Sequence, residues 1–245
     1  MKPNLTEARL LFPVKDENPT CITPYVTWSL IAINILIFIW EIIGGDARFN
    51  NIIMNLGFIP ARVINDGTYY MFLTSMFLHG GLFHVLGNML YLYIFGDNIE
   101  DMCGRRSYFV FYLLCGVIAS LAYMLSAWNS DAPAVGASGA ISGVLGAYIL
   151  LFPRVRIRTV ILLGFWVLPV SVHAYVLIGL WFIYQLILSL LTVETGIAYW
   201  AHIGGFVAGV ALIKLFARRK HLHPLHRKQP SFRFSLHPRM CKYRL

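Results

Sequence analysis

The chain has 245 residues, of which 58% are hydrophobic and 13% charged, and its formal net charge is +9. A soluble domain carries about 25% charged residues, and one of this size has no interior able to hide so much apolar surface. A water-soluble enzyme and a disordered chain are therefore excluded, and with only four cysteines and no glycine period so are disulfide-scaffold and collagen-like folds. What remains is one polytopic membrane domain of the all-α class with short polar ends.

Residues 1–20 are polar and lack the basic-then-apolar layout of a signal peptide, so the first span is expected to stay as a helix, with 1–23 as the N-terminal segment ahead of it. A helix needs about 20 apolar residues to cross ~30 Å of hydrocarbon. Six segments qualify in turn: Pro24–Ile43, Gly80–Gly96, Ser107–Ala127, Val135–Phe152, Val172–Leu191 and Gly196–Lys214. The uncharged stretch Thr159–Val193 is too long for one span, so its first part, with Gly164 and Pro169, is expected as a surface loop or a dip into the membrane. The membrane domain then covers 24–217, and 218–245 form a basic tail. From His221 to Leu245 the tail carries Arg227, Lys228, Arg233, Arg239, Lys242 and Arg244 and no acid. Such a tail suits contact with anionic lipid, and no nucleic-acid motif accompanies it.

Lys and Arg set the orientation. The N-terminus, the 97–106 and 153–158 loops and the chain from Lys214 onward hold 18 of them, against 2 (Arg48 and Arg62) in the alternate connections. Both termini are thus expected in the cytoplasm, and spans two, four and six run from outside to inside.

Polar groups inside a bilayer are costly and call for a reason. Span two carries His84 and Asn88, four apart on one face, with His79 at its outer mouth. Span four opens on Gly136-Ala137-Ser138-Gly139, and span six on Ala201-His202-Ile203-Gly204-Gly205. Each of His84, Asn88, Ser138 and His202 falls within about two turns of the outer entry, roughly 10 Å. The pairs Gly139/Gly143 and Gly205/Gly209 would let spans four and six approach closely. Ser138 is then a candidate nucleophile whose own N–H faces a developing oxyanion, and His202 a candidate general base. His84 and Asn88 are candidate oxyanion donors. No Asp or Glu is expected at this depth, which would make a Ser–His dyad without an acidic third member. No H-E-x-x-H or C-x-x-C occurs, and His221, His223 and His226 read as a solvated tail, so no metal or cofactor is expected. His173 reads as a structural or interfacial residue.

These three motifs resemble those of the rhomboid intramembrane serine proteases: G-x-S-G at 136–139, A-H-x-G-G-x-x-x-G at 201–209 and H-x-x-x-x-H-x-x-x-N at 79–88. The resemblance implies a six-span rhomboid-like bundle and a Ser138 nucleophile with His202 as base. It also implies an oxyanion hole from His84, Asn88 and the Ser138 N–H, with His79 as a possible accessory. It implies peptide-bond hydrolysis in or near single-span transmembrane substrates, and a multi-pass place in the cell (inner) membrane. Gly96 and Glu100 resemble a structural G-x-x-x-E turn, Thr159–Val172 the cap over the site, and span five the lateral gate. Two positions depart from the pattern. Tyr70-Met71 stand where a Trp-Arg pair is common, and Ser142 where an aromatic residue stacks on the base, so His202 must be oriented another way. A non-catalytic binder of transmembrane segments and a small transporter are the rival readings. The first is disfavoured by the intact Ser138 and His202, the second by the apolar inner halves of spans two, four and six.

Overall fold

The computed structural model describes residues 10–163, 166–191 and 196–218. A strand, β1 (Leu10–Asp16), precedes α1 (Tyr25–Ile42). Three short helices, α2 (Gly45–Leu56), α3 (Pro60–Asp66) and α4 (Met71–Thr74), lead through a 3-10 turn to α5 (Leu82–Cys103). Next come α6 (Arg105–Ser126) and α7 (Ser138–Leu151), the strands β2 (Arg156–Leu163) and β3 (Trp166–His173), and finally α8 (Ala174–Leu190) and α9 (Tyr199–Phe216). The six longest apolar helices fall on the six predicted segments. By length and composition α1, α6 and α9 can each cross a membrane, whereas α7 and α8 are apolar but shorter.

Glycine decides how the centre packs. A Cβ on Gly205 would collide with the backbone carbonyl of Gly139, one on Gly209 with that of Gly143, and one on Gly146 with that of Phe206. Helices α7 and α9 are thus in backbone contact along a glycine seam. Against the same pair α6 brings small groups, Ala119 beside Gly139 and Ala122 beside Gly204. Tyr108, Tyr112, Tyr148, Phe95 and Phe111 fill the core where the seam ends. By contrast, α8 buries only Ala174, Ile178 and Gln185.

Helix α5 runs about two turns beyond its predicted end at Gly96. The acids that mark the end of the apolar stretch serve as ties to the N-terminal segment. Glu100 is fully buried and accepts the N–H groups of Val26 (3.1 Å) and Thr27 (2.8 Å) and the Thr27 hydroxyl (2.9 Å). It therefore caps α1, whose first N–H groups lack intrahelical partners, with a charge of the favoured sign. Asp101 accepts the Cys21 N–H at 2.8 Å. Gly104, at φ 78°, then breaks α5 from α6 in one residue, a conformation that suits glycine.

Two expectations need correction. The fold is not purely helical, because Arg156–Leu163 and Trp166–His173 form neither loop nor membrane dip but a pair of antiparallel strands, and β1 extends it to a three-stranded sheet in the order β1-β2-β3. Nor can Thr159–Val172 cap the site. The sheet sits at the far end of the bundle, where Asp16 accepts hydrogen bonds from Tyr148 (2.8 Å) and Asn98 (2.7 Å) near the C-terminal ends of α7 and α5. Ser138 and His84 lie at the opposite ends of those same helices. Hydropathy alone does not distinguish a lipid-facing segment from apolar strands.

Candidate active site

Ser138 is the first residue of α7 and His202 lies in the first turn of α9, so the glycine seam that joins these helices also brings the two side chains together. Ser138 Oγ is 2.8 Å from His202 Nε2. The other ring nitrogen, Nδ1, is 2.9 Å from Gln185 Oε1 of α8. Trp181, one turn earlier on α8, sets its ring 5.9 Å from that of His202 at an interplanar angle of 37°. The Ser142 hydroxyl donates instead to the Ser138 carbonyl at 2.7 Å. His202 is thus held by two side chains of α8, and not from the position four residues after Ser138.

The approach to Ser138 is shaped by Gly136, at φ 127°, a conformation rarely open to other residues. A Cβ there would lie 2.8 Å from His84 Nε2 and 3.5 Å from Asn88 Nδ2. Both side chains of α5 therefore flank the strand of chain that delivers Ser138. His84 Nδ1 accepts the Gly80 N–H at 3.3 Å, so the neutral ring carries its proton on Nε2. Asn88 Nδ2 is buried and has no hydrogen-bond partner. His84, Asn88, Ser138 and His202 all line one cavity of about 590 Å³, walled by Phe83 and Tyr91 of α5, Leu145 of α7 and Trp181 of α8.

His79 is placed differently. It is fully buried outside that cavity, packed edge-on against Phe38 (6.5 Å) and His84 (5.3 Å), and its ring nitrogens have no partner. Its N–H meets both carboxylate oxygens of Glu41 at 3.3 Å. Glu41, fully buried near the end of α1, corrects the expectation that no acid lies at this level of any span. It supports the backbone ahead of α5 and does not touch His202. The segment between α1 and α5 is anchored without a Trp-Arg pair: Tyr70 Oη donates to the Asn55 carbonyl (3.1 Å), Thr74 Oγ1 to that of Leu56 (2.6 Å), and Met71 is fully buried against Phe58, Ile59 and Val63. His173 ends β3 and stacks on Tyr175 at 5.7 Å. His221, His223 and His226 lie outside the described residues, among which no cluster suited to a metal ion occurs.

Residues 66–219 match the rhomboid domain, so the chain belongs to the rhomboid family. With its apolar helices, it is an integral membrane protein. It is 34% identical over 133 residues to rhomboid protease GluP of Bacillus subtilis (strain 168), covering 54% of this chain and 26% of that protein. It is 32% identical over 159 residues to RHOMBOID-like protein 1 of Arabidopsis thaliana, covering 65% of this chain and 37% of the relative. Rhomboid protein 1, mitochondrial, of Saccharomyces cerevisiae is 30% identical over 139 residues, covering 54% of this chain and 38% of the relative. The matched region thus spans well under two thirds of each of these relatives.

Proposed function

We propose that the chain is an intramembrane serine endopeptidase that hydrolyses peptide bonds in or near the transmembrane segments of single-span membrane proteins. The observation that carries this reading is the 2.8 Å approach of Ser138 Oγ to His202 Nε2 inside a cavity that also presents an unpartnered Asn88 donor. Ser138 Oγ attacks the substrate carbonyl carbon as its proton passes to His202 Nε2. The oxyanion formed is met by the Ser138 N–H, which has no intrahelical acceptor, by Asn88 Nδ2 and by His84 Nε2–H. His202 then delivers the proton to the leaving amine, and the C–N bond breaks. A water molecule repeats the sequence on the acyl-enzyme: it loses a proton to His202, releases the acid and restores Ser138. No step as written needs a metal or a cofactor.

A substrate helix must unwind locally before its carbonyl can be reached, because helical carbonyls are already bonded. Helix-weakening residues near the scissile bond are the expected substrate feature. In this reading the six long helices are six spans of the cell (inner) membrane, with both termini cytoplasmic and the tail near anionic headgroups, as the 18-to-2 asymmetry of Lys and Arg supports.

The test is labelling of the detergent-purified protein with a serine-directed fluorophosphonate, beside Ser138→Ala and His202→Ala. Labelling of the parent protein and of neither variant is expected, together with cleavage of a single-span substrate that Ser138→Ala abolishes. A folded parent protein that takes no label would turn the reading toward a non-catalytic binder of transmembrane segments.

A further inference from the structure

We infer that Gln185 of α8 is a positioning residue for His202: its carbonyl oxygen fixes the imidazole tautomer that lets Nε2 accept the Ser138 proton. The inference rests on the serine-endopeptidase reading. Its starting point is a cost. An uncharged amide is expensive in the interior of an apolar helix unless it is bonded. Gln185 is nevertheless one of three residues that α8 buries. Its Oε1 lies 2.9 Å from His202 Nδ1.

The hydrogen-bond roles along this line are coupled. A neutral imidazole has one N–H and one acceptor nitrogen. For Nε2 to receive the hydroxyl proton of Ser138, 2.8 Å away, the ring proton must be on Nδ1. That proton needs an acceptor, and an amide oxygen is one. The Ser138 hydroxyl, His202 and Gln185 then form one chain of donation in a single direction. A buried acidic partner would do the same and add charge, but the buried acid nearby, Glu41, is engaged with the His79 backbone. Trp181 lies over the ring and restricts its tilt without deciding the tautomer.

One consequence is mechanical. Helix α8 walls the cavity through Trp181 and buries little else, so the two groups that hold the base belong to a thinly packed helix. Displacement of α8 would withdraw the acceptor from Nδ1, and its return would restore the base.

The experiment compares the parent protein, Gln185→Met and Gln185→Glu, all full-length in detergent. Its readouts are the fluorophosphonate labelling rate and kcat and KM on a single-span substrate. Gln185→Met keeps the volume and removes the acceptor. It is expected to lower the labelling rate and kcat by about 10–100-fold, less than the loss known for a charged partner, with KM unchanged. Gln185→Glu restores an acceptor and is expected to recover most of the rate. Equal rates for Gln185→Met and the parent overturn the inference and leave the endopeptidase reading standing, as do equal losses in both variants, which would mean a packing role. Absence of label on the parent strikes the reading itself. The tautomer is then still decided by 15N NMR of the imidazoles in the unsubstituted protein, which also serves if Gln185→Met does not fold. A proton on Nδ1 of His202 is expected, and one on Nε2 overturns the assignment.

Discussion

Asn88 shows what a single side chain gives up for chemistry. Its Nδ2 is buried and unbonded, a state that costs about 1–3 kcal/mol where no partner is found. A group kept at that cost beside Ser138 fits a donor whose partner exists only during reaction. Asn88→Ala should therefore lower kcat by about 10²-fold or more, as loss of one oxyanion donor does elsewhere. The same change should leave the thermal midpoint unchanged or raise it, since it removes an unsatisfied donor. A fall in both would point to an ordinary structural amide. The sequence makes Ser138, His202, His84 and Asn88 visible because polar residues stand out in apolar runs. Gln185 offered the same signal but belongs to no polar pair or motif. Glu41 was masked by its place at the end of a span.

At the scale of elements, the glycine seam between α7 and α9 is the least forgiving feature. Gly205→Val would drive side-chain atoms into the Gly139 backbone, which cannot rotate away as a side chain can. A loss at the upper end of the ~1–3 kcal/mol typical of overpacking is expected, read as a lower unfolding midpoint in detergent. Labelling should fall with it, because the seam sets the distance between Ser138 and His202. The seam was legible in the sequence, since glycines four apart in two apolar helices announce close approach. The pair of strands was not. Residues 156–173 are rich in Val and Ile, which suits strands, yet a long uncharged stretch gives the same hydropathy whether it faces lipid or forms a sheet. What distinguishes the two is the pairing of β2 with β1, a contact between distant parts of the chain that no local pattern encodes.

Across the whole molecule, the N-terminal segment is tied to the bundle through the sheet, the Glu100 cap on α1, the Asp101 bond to Cys21, and Asp16. Asp16 joins them physically, with Tyr148 and Asn98 donating to one of its oxygens and Asn18 bonded to Asn98. Burial pushes the Asp16 carboxyl above its ordinary value, partly offset by the hydrogen bonds from Tyr148 and Asn98. Since the folded value is the higher one, this group favours the fold most below its unfolded value, and the benefit is lost as pH rises through the folded value. Asp16→Asn keeps an acceptor and removes the titration. The variant should show a flatter dependence of the unfolding midpoint on pH across that interval. An unchanged slope would show that Asp16 does not govern it.

The same sheet imposes an order of events on synthesis. Chains are made from the N-terminus, and β1 leaves the ribosome before α1, whereas β2 follows α7. The first strand therefore waits, with its edge unpaired, while seven helices are made. A pairing that spans so much sequence is entropically late, and an open strand edge is a hazard while it lasts. Pairing of β1 with β2 is thus a late event: when β1 finds β2, the helix bearing Ser138 has already been made, and of the described elements β3, α8 and α9, the last two bringing Gln185 and His202, have still to arrive.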